Sequence, residues 1–442
     1  MRSIFAALFG ALLGLSLLKF GNPPIMEKWV TLPTDIFEFI LGYPWPMSWG
    51  WWLLGLVGLV GLFAAEPRTG VPRWLLALPL LWLGWQCVAA IPTADSELTK
   101  ATVKHFAACV VCFYLGCFCL APARRFSWFW VGLLGGLLLV LLVGWDQHFG
   151  GIEASRRYFY LYVYPTMKEV PPGYLKRISS TRIWGTLFYP NALAGVILLL
   201  LPASLALLYS LRRRFTVGAR SLLVCIVGAA ALACLFWSQS KGGWLLLLVQ
   251  GGVAALFLPW SRKLKLLLIT SALMLGLAAF FWRYSTFFQK GATSVSARFD
   301  YWHAALQTAK ARPVFGSGPG TFALAYERIK QPESEMSRLT HNDYLEQASD
   351  SGVAGFLTYT SFIVGALVWT LKRARPMPDT SGPCLATDTQ PGEPWLAFSV
   401  WLGIFGWALQ SLFEFGLYIP ALAWPAFAML GWSVGKPGRQ ST

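Results

Sequence analysis

Four side chains in this sequence have types and settings that could support chemistry: His341, Arg298, Lys241 and Arg182. An imidazole titrates near neutrality and can take a proton from a substrate. Positioned guanidinium and ammonium groups can steady developing negative charge. Each residue also has an ordinary structural use. His341 can cap the helix expected after it or bond a neighbouring loop, and Arg298 can pair with Asp300. Lys241, between two apolar runs, can snorkel to a membrane interface. Arg182, just ahead of another run, can anchor to headgroups. Glu414, a secondary candidate, lies close to apolar runs, where an acid can orient a base or an acceptor. Arg338, Asn342 and Tyr344 surround His341 as secondary candidates. Gly316, Gly318 and Gly320 superficially suggest a nucleotide cradle, but that fingerprint needs a βαβ unit. Gly318 and Gly320 are read instead as a turn that lets the backbone approach a substrate, or only as a turn. No H-E-x-x-H or comparable spacing occurs, and His105, His148 and His303 are scattered. No metal and no cofactor is expected in the chemical step.

The elements that must hold these groups follow from composition. Of 442 residues 56% are hydrophobic and 13% charged, against roughly 25% charged in soluble domains; the mean hydropathy is +0.54. Apolar residues come in runs of ~18 to 21, about what a helix needs to cross a bilayer core. Many of the 23 Trp and 15 Tyr stand at the ends of those runs, as interfacial belts do. The expected fold class is an all-α polytopic membrane protein. Spans are expected near 3–20, 47–64, 73–91, 101–121, 127–146, 190–210, 221–237, 243–260, 264–282, 351–371, 395–413 and 415–434, about 12 transmembrane helices. The first run lacks a clear cleavage site before Asn22-Pro23-Pro24 and reads as an uncleaved span. The eight cysteines make no disulfide framework: Cys109, Cys112, Cys117 and Cys119 fall in one apolar run with no other ligand type, and buried Cys acts as a small apolar residue.

Charge gives the orientation. The net charge of +16 would suggest nucleic acid in a soluble protein. Here Arg2, Arg68, Arg73, Arg124, Arg125, Arg212–Arg214, Arg220, Arg262, Lys263, Lys265, Lys372, Arg373, Arg375, Lys436 and Arg439 fall on alternate short connections. That is a topology signal placing both termini in the cytoplasm, and no nucleic-acid partner is expected. The chain divides into N-terminal helices over 1–146, a basic loop over 147–189, central helices over 190–282, a large outward loop over 283–350 and C-terminal helices over 351–442. Within the last, 372–394 reads as a flexible cytoplasmic linker. The loop 147–189 interleaves Arg156, Arg157, Lys168, Lys176, Arg177 and Arg182 with tyrosines. That mixture suits phosphorylated headgroups and sugars, or simply an interfacial anchor. The loop 283–350 shows helix character from Ser296 to Ala311, and a second helix opens at His341.

Several segments in order carry a resemblance. Arg298-Phe-Asp-Tyr-Trp302, Pro313-Val-Phe-Gly-Ser-Gly-Pro-Gly-Thr-Phe322, His341-Asn-Asp-Tyr-Leu345 and Asp350-Ser-Gly-Val-Ala-Gly355 are similar to the O-antigen ligase and polymerase superfamily. Upstream, Arg182-Ile-Trp-Gly-Thr-Leu-Phe-Tyr-Pro-Asn-Ala-Leu-Ala194 and Ser238-Gln-Ser-Lys-Gly-Gly-Trp244 resemble it too. The likeness covers roughly 180 to 371 by motif. It implies a metal-independent glycosyltransferase of the bacterial inner membrane, working on the periplasmic face with its large loop. The implied donor is a glycan on undecaprenyl pyrophosphate; the acceptor is lipid A core or another glycan, with membrane lipids around both. The family's functional His corresponds to His341 and its Arg to Arg298. His341 is then the general base, while Arg298, Lys241 and Arg182 neutralise the departing pyrophosphate. One departure stands out. Ser240-Lys241-Gly242 replaces the family's usual S-R-G, keeping the charge but losing the bidentate fork.

Ligase and polymerase, the latter joining lipid-linked repeats into O-antigen or exopolysaccharide, share these motifs. A ligase acting in lipopolysaccharide biosynthesis is the first reading. A transporter or flippase of lipid-linked sugars fits the span number equally, but such proteins place charges and broken helices at mid-membrane. Here the polar residues concentrate in the outward loops. An inert relative serving as scaffold is a third possibility, supported only by the Lys241 departure.

Overall fold

The computed structural model describes every residue except 43, 68–69, 124–126, 168–169, 171–174, 176–177, 188, 213, 286–292, 333, 375–392 and 437–442. Most of the linker expected over 372–394 therefore lies outside the described residues. So do Arg68, Arg124, Arg125, Arg213, Arg375 and Arg439 of the charge pattern, and Lys168, Tyr174, Lys176 and Arg177 of the basic loop.

The described residues contain helices and no strand. In chain order they are α1 Arg2–Lys19, α2 Met47–Leu62, α3 Arg73–Ala89, α4 Ser96–Tyr114, α5 Ser127–Asp146, the short α6 Ile152–Tyr158, α7 Pro190–Ser210 and α8 Val217–Trp237. There follow α9 Lys241–Phe257, α10 Arg262–Arg283, α11 Thr293–Ala311, α12 Phe322–Ile329, α13 Asp343–Ala374, α14 Glu393–Gln410 and α15 Pro420–Gly435. Each of the twelve apolar runs carries a helix. Seven helices are long and apolar enough to cross a membrane, and four shorter apolar helices accompany them. The chain is an all-α polytopic membrane protein.

The burial pattern has a physical reason. The helix α15 is apolar on every face and buried along nearly its whole length, with Trp424 and Phe427 fully enclosed; it is the axis of the bundle. The peripheral α10 is long and apolar enough to span a membrane yet has no buried residue, and presents Leu267, Met274, Leu275 and Trp282 outward. Such a surface is stable only where the solvent is hydrocarbon. Between α1 and α5 the driving force is close packing. A side chain at Gly10, Gly14, Gly132 or Gly136 would collide with backbone of the facing helix, the small-residue contact by which helices associate in lipid.

The connections gather at two ends. At one, Arg2 pairs with Glu66 at 2.8 Å, and Arg373 donates to the carbonyls of Gly70 and Lys436. At the other lie the segments between α1 and α2, α3 and α4, α5 and α7, α8 and α9, α10 and α13, and α14 and α15. Two elements there differ from expectation. The last connection at this end runs from Ser411 to Ile419, because α14 stops at Gln410 and α15 starts only at Pro420. A proline has no N–H to lose at a first helical position, and Leu417 N–H is already committed to Asp343. Much of 147–189 is helical rather than loop, with a break at Phe149 and Gly150, where φ is 129°.

Candidate functional site

Glu414 is the hub of the second end. Its side chain is 9% exposed, and it meets three partners. Arg298 Nη2 donates to Oε1 in an ion pair, and Asn191 Nδ2 donates to the same oxygen at 2.6 Å. His341 Nδ1 lies 3.2 Å from Oε2. Burial works against the Glu414 charge, yet the Arg298 guanidinium and the His341 bond outweigh it and hold the carboxyl below the usual glutamate range. An ionised carboxylate only accepts, so Nδ1 of His341 carries the hydrogen between them, and in the neutral imidazole the free lone pair then falls on Nε2. The His341 side chain is 26% exposed, enough to be reached. Tyr301 stacks on the imidazole at 5.8 Å and Phe415 meets it edge-on at 4.8 Å.

Different elements deliver each partner. Arg298 projects from α11, with Nε on Phe413 O and Nη1 on Ser294 O, both at 3.0 Å. Asn191 is the second residue of α7, and its Oδ1 accepts from Arg182 Nη2 at 3.0 Å. Arg182 Nε also donates to Ser238 O at 2.8 Å. The segment bearing Arg182 is fixed by Gln147, which accepts from the N–H groups of Trp184 and Gly185 and donates to Gly185 O. Lys241 stands at the head of α9, before its apolar run, on a turn whose Ser240 side chain caps Gly243 N–H. Its ammonium lies over the Tyr284 ring at 5.1 Å. Burial, and then the charges of Arg182, Arg298 and Arg283, push its pKa down to about 8.

The turn that presents His341 is locked from behind. His341 has a left-handed φ of 53°, which costs a non-glycine residue about 1–3 kcal/mol unless its surroundings hold it. Glu346 Oε2 accepts from both Thr340 N–H (2.9 Å) and Thr340 Oγ1 (3.0 Å). Asp343 ties this turn to the Glu414 loop: its N–H donates to Ser411 O, and its Oδ2 accepts from Leu417 N–H. Gln239, beside Lys241, is the other non-glycine residue with positive φ among the described residues.

The structure thus brings together His341, Arg298, Glu414 and Arg182, with Lys241 in their field. It places the other secondary candidates elsewhere. Asn342 caps α13 through Leu345 N–H at 3.0 Å, and Tyr344 donates to Ala408 O. Arg338 lies over Trp29 at 3.9 Å. Gly318 and Gly320 have φ of 110° and 77° and press on Thr93 and Thr102, where any side chain would collide. Gly320 N–H donates to Asp350 Oδ2 at 2.7 Å. The glycine turn therefore meets protein on that side, docking the large connection onto α4 and α13. Asn191 and Arg283 were not singled out by sequence reasoning. Asn191 had a signal, since it follows Pro190 at the start of a helix within a quoted motif.

Residues 226–360 match the family model described as O-antigen ligase. An uncharacterized protein of Haemophilus influenzae is 27% identical over 158 residues, which is 30% of this chain and 40% of that relative. The chain spans well under half the length of this curated relative. The family match contains Lys241, Arg298 and His341, whereas Arg182, Asn191 and Glu414 lie outside it.

Proposed function

We propose, for a membrane protein whose residues 226–360 carry a domain of the O-antigen ligase superfamily, that it is a glycosyltransferase using a glycan on undecaprenyl pyrophosphate. It works at the periplasmic face of the bacterial inner membrane, with both termini cytoplasmic, and lipid A core is the acceptor. The observation that carries this reading is Glu414 bridging a reachable histidine to an arginine beside two further cations. His341 Nε2 takes the proton from the acceptor hydroxyl. The acceptor oxygen forms the new bond to the sugar's anomeric carbon as the bond from that carbon to the phosphate oxygen breaks. The electron pair leaves with the lipid pyrophosphate, whose growing charge faces Arg298, Lys241 and Arg182. Lys241 at a helix head adds the N-terminal field of α9 to this set. Glu414 holds the imidazole in the tautomer the step needs and stabilises the imidazolium that forms, as the carboxylate does in other base dyads.

The test is transfer in liposomes holding the purified protein, a polyprenyl-pyrophosphate oligosaccharide and lipid A core, with EDTA present. One glycan added to the lipid A core, undiminished by EDTA, is the expected product. Ladders on the lipid-linked donor would make the chain a polymerase. Donor crossing the bilayer with no new glycosidic bond would replace the transferase reading by a transporter.

A further inference from the structure

The bundle has a cavity of about 500 Å³ between α7, α9 and α14, at the end opposite the Glu414 site. Its floor has a chemical explanation. Pro202 lacks the N–H that would bond Leu198 O one turn back, and Gln250 Nε2 takes that carbonyl at 3.0 Å together with Leu402 O at 2.8 Å. This bridge joins all three helices and closes the cavity toward the Glu414 side. The walls above it are apolar, and the mouth carries Tyr209, Arg212 and Trp395. Arg220, 6% exposed, backs the mouth: it donates to Tyr209 O at 2.7 Å, and its guanidinium lies 5.0 Å from the Tyr209 ring. Its buried Nε has no acceptor among the described residues. Neither Arg212 nor Arg220 pairs with a carboxylate among those residues.

An apolar slot closed at its inner end, with interfacial aromatics and cations that pair with no carboxylate among the described residues at its outer end, matches one kind of molecule. We propose that it holds one acyl chain of an anionic phospholipid from the leaflet opposite the Glu414 site, with the phosphate on Arg212. The size fits. At about 30 Å³ per methylene, close to the liquid volume of one water, the space takes roughly sixteen carbons. The charge fits as well, since anionic lipid attracts basic residues at a membrane surface. The closed floor separates this site from the donor, so the inference stands independently of the transferase reading.

Native mass spectrometry of the protein purified in mild detergent tests it. Wild type should retain one phospholipid per chain, with phosphatidylglycerol or cardiolipin favoured over phosphatidylethanolamine. Ala254→Trp fills the slot and should remove that lipid. Arg212→Gln should weaken binding of added phosphatidylglycerol about five-fold, in line with the loss of one surface charge, and leave phosphatidylcholine unchanged. If Ala254→Trp does not fold, thermal shifts of delipidated wild type with phosphatidylglycerol and phosphatidylcholine decide instead, and equal shifts overturn the proposal. It is also overturned by equal lipid content in wild type and a folded Ala254→Trp, by a polyprenyl phosphate as the retained molecule, or by a second copy occluding the slot.

Discussion

At the scale of the residue, the account turns on Glu414, whose two oxygens serve an arginine and a histidine at once. Glu414→Gln keeps the size but removes the charge that Arg298 and an imidazolium both need. Transfer measured as kcat/KM should fall about 100-fold, the scale of a general-base contribution. A variant with wild-type rate would show that the carboxylate only packs. Lys241 gives a pH prediction with a definite sign. Its pKa is pushed down to about 8, so its charge is present below that pH and is lost as pH rises through it. The wild-type kcat/KM for donor should decline above about pH 8 in the free enzyme, whereas Lys241→Arg, charged at all working pH, should hold its donor affinity to higher pH. Matching profiles for the two proteins would remove Lys241 from the pyrophosphate site.

At the scale of the element, buried groups behind the site do the positioning. Glu346 is fully buried and holds Thr340, the residue before His341. Glu346→Ala would orphan the buried Thr340 N–H, costing about 1–3 kcal/mol, while the Thr340 hydroxyl keeps Asn342 O as its acceptor at 2.7 Å. Thermal unfolding should show that loss together with a lower kcat, and Glu346→Gln, which keeps an acceptor, should restore most of both. Gly132→Leu, far from the site in the α1–α5 contact, should lower thermal stability while leaving the rate per folded molecule intact; a selective loss of rate would contradict the assigned role. Here the limits of the sequence are visible. Apolar runs mark the helices well because hydropathy acts over short stretches of chain. His341 and Arg298 stand out through their motifs. Glu414 reads from sequence only as a secondary candidate because its partners are 116 and 73 residues away, and no local pattern encodes such a meeting. The same holds for Asn191, whose partner is 223 residues distant. Gly318 and Gly320 mark a turn correctly, but which surface that turn approaches is a tertiary fact.

At the scale of the whole molecule, the alternating connections place Arg2, Arg73, Arg262 and Arg373 at one end and the Glu414 cluster at the other. Cysteines introduced at Glu335 and at Thr216 should therefore differ in intact cells. The first should react with an impermeant maleimide, and the second only after permeabilisation. The reverse pattern would invert the proposed orientation. The central claim, that a metal-free His–Glu–Arg unit performs glycan transfer, is tested most directly by single-turnover transfer in liposomes. Wild type, His341→Ala and Arg298→Ala would be compared, each shown folded by its thermal transition. The account predicts that each substitution slows transfer by about 100-fold or more, with EDTA making no difference to wild type. Transfer at the wild-type rate by both variants would contradict it.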